Sequence, residues 1–169
     1  MIKRSTVMAG LGLLAIGCMA APAAAQYVPD QVIAAVDLEK LQSVVKSLDH
    51  EVLSVGEGGA IALTATSDGG LIYSLTGTAC EAGGVPGCQG VMMQVQYGVP
   101  DTASYRTLAE ANLQQAAVNS WMDPANGVVG FTRYVVLDKG VTMANLRENI
   151  LVLLAIAPNA LETVKGNQE

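Results

Sequence analysis

The sequence predicts an α+β domain in which helices pack on an antiparallel sheet, in the order α-β-β-β(-β)-α-β-β-α. Three observations lead there. Between residues 49 and 97 apolar side chains recur with a period of two, as in strands that bury one face. The Gly-rich turns between these runs are too short for the crossover that parallel pairing demands. Helix-like stripes precede, interrupt and follow the strands, and a second strand pair lies between the last two stripes.

The first helix is expected to open at Asp30, an N-cap placed after Pro29. Ala34, Leu38, Leu41, Val45 and Leu48 fall on one helical stripe, with Ile33 and Val44 beside it. Asp37, Glu39, Lys40, Gln42 and Lys46 supply the wet face. Residues 49–55 switch to strand character, and Gly56-Glu57-Gly58-Gly59 reverses the chain. Ile61, Leu63 and Ala65 then alternate with Ala62, Thr64 and Thr66. After the turn Ser67-Asp68-Gly69-Gly70, Leu71, Tyr73 and Leu75 continue the alternation. The clearest strand sets Val91, Met93, Val95 and Tyr97 against Met92, Gln94 and Gln96.

Pro100-Asp101 is expected to open a second helix over residues 102–117, with Tyr105, Leu108, Ala109, Leu113 and Ala116 as its apolar face. Residues 118–122 read as a short strand, and Asp123-Pro124-Ala125-Asn126-Gly127 as a turn. Residues 128–137 return as a β-branched strand, which completes a hairpin. Asp138-Lys139-Gly140 bends the chain, and Thr142 caps a last helix expected to stop at Pro158.

Ahead of this domain lies a leader. Lys3 and Arg4 precede a small, apolar run over residues 7–20, and Ala23-Ala24-Ala25 supplies an A-x-A site with cleavage expected between Ala25 and Gln26. Residues 1–25 thus read as a signal peptide, residues 26–169 as one domain, and the working compartment as the periplasm. An uncleaved anchor is the lesser reading, because the run is rich in Ala and Gly, carries Pro22, and barely reaches the ~20 residues a span needs. A lipoprotein site at Cys18 also stays open. Gly17 fits it, but Ala15 replaces the usual Leu.

Cleavage leaves 144 of the 169 residues, enough for one core. It removes two of the nine basic residues and no acidic ones, so seven basic face 15 acidic groups and the mature charge is −8. That charge repels phosphate backbones and anionic headgroups, which argues against nucleic acid as a partner. With one Phe and one Trp, the core must be built from aliphatic residues and Met. Once Cys18 is gone, Cys80 and Cys88 form an even pair around seven residues. In an oxidising compartment they read as a disulfide, which adds about 2.6 kcal/mol in the loop-entropy model. A redox-active pair is disfavoured, since no Lys, Arg or His adjoins them and the spacing is not C-x-x-C.

Chemistry is sparse. His50, the only histidine, sits in Asp49-His50-Glu51 and reads as an exposed junction residue, with no nucleophile indicated beside it. Zinc wants three or four ligands, more than one His and a disulfide provide. Gly56, Gly58 and Gly59 precede a strand, not a helix start, so they do not cradle a phosphate. No calcium-loop spacing occurs. Neither an enzyme nor a cofactor is expected.

The block Val135-Val136-Leu137-Asp138-Lys139-Gly140-Val141-Thr142-Met143-Ala144-Asn145-Leu146-Arg147-Glu148-Asn149-Ile150 resembles the closing strand, Leu-Asp-Gly-Gly-Val-Thr turn and last helix of the YbjN family. Cys80 and Cys88 fall where exported members often carry a cysteine pair. The chain departs from the pattern at Ala111-Asn112, where the family usually has Trp-Asn, and at Lys139, which replaces a glycine. The resemblance implies helices on one face of the sheet, in a fold similar to type III secretion chaperones. It also implies a sensory or regulatory role without a defined reaction.

What remains is recognition at a surface. Residues 150–157 are apolar all round, so Leu154 and Ile156 belong either to the core or to an interface with a partner or a second copy. Asn112, Asn145 and Asn149 form a polar set that either satisfies backbone groups or lines a small binding site. The expected function is a non-catalytic binding or regulatory role in the cell envelope, through a protein partner or self-association. The alternative is a dimeric chaperone-like module for exported proteins.

Overall fold

The computed structural model describes residues 26–166; the expected leader, the cleavage expected after Ala25, and Cys18 lie outside them. Strand β1 is Val32–Ile33, α1 Leu38–Lys46, β2 Glu51–Val55, β3 Ala62–Thr66, β4 Ile72–Cys80 and β5 Cys88–Gly98. Helix α2 (Tyr105–Gln114), strands β6 (Asn119–Asp123), β7 (Val128–Val136) and β8 (Val141–Thr142), and helix α3 (Met143–Val164) follow.

Six strands form one antiparallel sheet in the order β2-β3-β4-β5-β7-β6, and β1 pairs separately with β8. The period of two fixes its faces. Leu63, Ala65, Tyr73, Leu75, Val91, Met93, Val95, Val129 and Phe131 point to one side and are buried. All three helices pack there, as the α+β reading requires. Leu41, Val44 and Val45 of α1, and Leu146, Ile150 and Leu153 of α3, complete the core. Tyr97 and Phe131 meet edge to face across β5 and β7, with ring centroids 6.0 Å apart. Cys80 and Cys88 are directly opposite in the β4–β5 register and are joined as a disulfide.

The first helix starts seven residues later than Asp30, at Asp37, whose Oδ1 accepts from the Lys40 amide at 2.8 Å. Tertiary pairing explains the delay. Val32 and Ile33 pair with β8, and Val36 exchanges both backbone hydrogen bonds with Cys88 at 2.8 and 2.9 Å. These bonds hold the segment extended, and Ala34 is exposed. Leu41, Val44, Val45 and Leu48 are buried as expected.

Helix α2 is capped by Ser104, not Asp101, through a capping box with Thr107. Its expected face is also rotated. Leu108 and Ala111 are buried, whereas Tyr105, Ala109, Leu113 and Ala116 are exposed. Two apolar stripes compete on this helix, and the small side chain of Ala111 lets the chosen one lie close against α3.

Helix α3 begins at the Thr142 cap, whose Oγ1 accepts from the Asn145 amide at 3.1 Å. It does not end at Pro158 but continues to Val164. An interior proline lacks one N–H and crowds the preceding turn, at a cost of about 3 kcal/mol. Packing on both sides of it overrides that cost. Ala157, Ala160 and Val164 are fully buried, and Thr163 Oγ1 donates to Gln114 Oε1 of α2 at 3.1 Å.

Candidate binding surface: an arginine notch beside an open sheet face

The sheet face opposite the helices is lined by short polar side chains and a few large ones. Thr64, Ser74, Gln94 and Gln96 surround a shallow depression of about 390 Å³ together with exposed Ile72. Two glycines shape the far side of this face. A Cβ on Gly130 would collide with the Trp121 ring, so the indole lies across the bare backbone of β7. Its Nε1 donates to Thr132 Oγ1 at 2.8 Å, and Gln94 Nε2 donates to the same oxygen at 3.0 Å. Gly90 makes the same room for the Tyr134 ring, whose hydroxyl shares a 2.8 Å hydrogen bond with Thr78 Oγ1. Neither aromatic contact was signalled by sequence spacing, since each pair lies on different strands.

At the edge of the sheet the expected asparagine set divides. Asn112 belongs to α2 and grips Ser120 of β6, its Oδ1 accepting from the amide at 2.6 Å and its Nδ2 donating to the carbonyl at 3.2 Å. It therefore satisfies strand backbone and sets the rotation of the helix. Asn149 and Asn145 sit one turn apart on α3, where Asn149 Nδ2 donates to the Asn145 carbonyl at 2.8 Å and to its Oδ1 at 3.1 Å. The free oxygen of Asn149 accepts from Arg133 Nε at 2.6 Å. Arg133 Nη1 donates in turn to the Ala117 carbonyl, also at 2.6 Å. Arg133 thus joins α3 to the turn between α2 and β6.

Asn112 and Arg133 line one open notch of about 680 Å³, with Ala117, Asn119, Thr132 and Tyr134. Sequence reading found the asparagines and missed the arginine. The available signal was its place as the sole charge in the β-branched run of residues 128–136. Leu154 and Ile156 stand apart from this notch, half-buried on the flanks of α3 against the core.

His50 differs from the expected exposed residue. It is half-buried, its Nδ1 lies 2.9 Å from the Tyr73 hydroxyl, and the two rings meet edge to face at 5.7 Å. Desolvation lowers its pKa, assisted by the Arg147 charge and opposed by Asp68 and Asp49. Burial pushes the Tyr73 hydroxyl up, so it remains a neutral hydrogen-bonding group. Among the described residues no three His, Cys, Asp or Glu side chains are grouped to hold a metal ion. No helix among them is long and apolar enough to cross a membrane.

No curated protein sequence matches the chain. Among solved structures, the HopA1-SchA chaperone–effector complex contains a similar chain, with a TM-score of 0.51 and 15% identity over 75% of this chain and 98% of that one. An uncharacterized protein from Methanothermobacter thermautotrophicus gives a TM-score of 0.53 at 10% identity, over 78% and 98% of the two chains. The crystal structure of YbjN from E. coli gives 0.51 at 13% identity, over 76% and 96%. At these identities the likeness is one of fold. The model of the YbjN family, described as "Putative bacterial sensory transduction regulator", matches residues 37–157, from the cap of α1 to the buried Ala157 of α3. By that match, over most of its length, this chain belongs to the YbjN family.

Proposed function

We propose that this protein is a non-catalytic binding module of the cell envelope, exported by its leader and acting in a regulatory role by docking a protein partner. The observation that supports this reading is the helix-free sheet face. It offers rows of Thr, Ser and Gln around exposed Ile72, Tyr134 and Val136, a mixture suited to reversible protein contact. A chain of the HopA1-SchA chaperone–effector complex shares this fold, which lends the reading support by analogy.

Crosslinking in intact cells, followed by fractionation and mass spectrometry, tests it. One folded partner in the periplasmic fraction is expected, together with a mature N-terminus at Gln26. Ile72→Glu is expected to abolish that capture without changing the melting temperature. Recovery in the cytoplasm, or capture indifferent to Ile72→Glu, counts against it.

A second reading, the dimeric chaperone-like module, draws support from α2. Tyr105, Ala109 and Leu113 form an exposed stripe at four-residue spacing, and Tyr105 and Leu113 are 76% and 83% exposed. Light scattering separates the two, because a dimer through this stripe becomes a monomer in Tyr105→Ser/Leu113→Ser. Unfolded clients, not one folded partner, would then co-purify.

A further inference from the structure

Strand β7 outlasts one of its neighbours. β5 pairs with it from Val128 through Val136, but β6 reaches only from Val128 to Thr132. On the β6 side, residues 133–136 therefore have no strand partner. The Leu137 amide donates toward β5, to the Gln89 carbonyl at 2.8 Å. Backbone groups of a strand alternate sides, so those of Tyr134 and Val136 face the vacant side. The notch lies at the inner end of this gap, where β6 begins at Asn119.

Arg133 stands at that corner. Two of its five N–H groups are held by Asn149 and Ala117, which fixes the guanidinium in place. Among the described residues no Asp or Glu forms an ion pair with it, although the chain is strongly acidic. A half-buried, oriented cation with free donors and no counter-charge is suited to a single carboxylate.

Strand direction identifies which carboxylate. A peptide laid antiparallel to residues 133–136 runs the same way as β6, so its last residue stops against Asn119, beside Arg133. A parallel peptide would bring its terminal ammonium there, against the same positive charge. We propose that this gap binds the C-terminal carboxylate of an extended peptide, which adds as a short strand to β7 and ends on Arg133. Counting back from Arg133, the second and fourth residues from the peptide end lie beside Tyr134 and Val136, which are 51% and 60% exposed. Apolar side chains are selected at those two positions.

The inference rests on the reading of the chain as a protein-binding module, but it concerns the β7 edge and Arg133, with Tyr134 and Val136 shared with the open face and Ile72 lying outside it. Fluorescence anisotropy with a labelled peptide Gly-Ser-Val-Ser-Leu-Ser, free or amidated at its end, tests it on the purified protein. Saturable binding of the free peptide is expected, with a loss of about tenfold or more on amidation and in Arg133→Gln. Val136→Pro, which removes a gap-facing N–H at a sheet edge, is expected to weaken binding while the melting temperature stays near that of the unaltered protein. Serine at the second and fourth positions is expected to weaken it too. Equal binding of the amidated peptide overturns the proposal, as does affinity for acetate that matches that of the peptide. Partner capture sensitive to Ile72→Glu with no peptide binding removes this inference and leaves the proposed function standing. Peptide binding with no captured partner does the reverse.

Discussion

The half-buried His50 and its partner Tyr73 show what one pair contributes to pH response. Desolvation holds the folded-state pKa of His50 below its usual value near 6.5, so the unfolded chain binds the extra proton first. Stability is therefore expected to be full above about pH 7 and to decline as pH falls through the unfolded pKa, levelling off below the folded one. Urea titrations between pH 8 and pH 5 check this, and His50→Gln should flatten the slope in that window. Asn149 offers a second test. Its Oδ1 holds Arg133 Nε, so Asn149→Ala releases a charged hydrogen bond and is expected to cost about 1.5–3 kcal/mol by denaturant unfolding. Asn149→Asp should lose less, because a carboxylate still accepts from the guanidinium. Sequence reading located Asn149 but not its partner, since 16 residues separate the two and only the packing of α3 on β7 brings them together.

At the scale of elements, the strands and helices respond to different rules. The strands were legible because alternation is a local property, and β3, β4, β5 and β7 lie close to where it puts them. Gly130 lies within one such strand for a cross-strand reason, the Trp121 ring above it. Gly130→Ala is expected to displace the indole, break its bond to Thr132, and destabilise by about 1–3 kcal/mol in thermal or urea melts. Helix ends were less legible. Pro158 looked like a stop because its local cost is real, yet α3 continues on the burial of Ala157, Ala160 and Val164. Pro158→Ala is accordingly expected to raise the melting temperature by restoring one helical hydrogen bond, with an upper limit of about 3 kcal/mol. An unchanged or lower melting temperature would count against a local cost at Pro158.

For the whole molecule, the sheet is a divider. One face is sealed by three helices, the other stays open, and the β6 edge ends early enough to leave a gap beside Arg133. The Cys80–Cys88 bond ties β4 to β5, and Val36 leans on Cys88 through two backbone bonds, so the N-terminal segment depends on the same hairpin. The double replacement Cys80→Ala/Cys88→Ala is expected to lower stability by about 2–4 kcal/mol. It should also raise hydrogen exchange at Val36, which an effect confined to the loop would not do.

By itself the sequence determined the α+β class, the strand faces, the Thr142 cap, the cysteine pairing and the family resemblance. All of these follow from residue type at short spacing, where local propensity and side-chain period act directly. The tertiary structure decided where α1 begins, which stripe of α2 is buried, and that α3 passes through its proline. It also decided that Arg133 faces a notch with no acidic partner among the described residues. Each of these depends on contacts between elements distant in the chain, whose energies exceed the local preference and leave no trace in its periodicity.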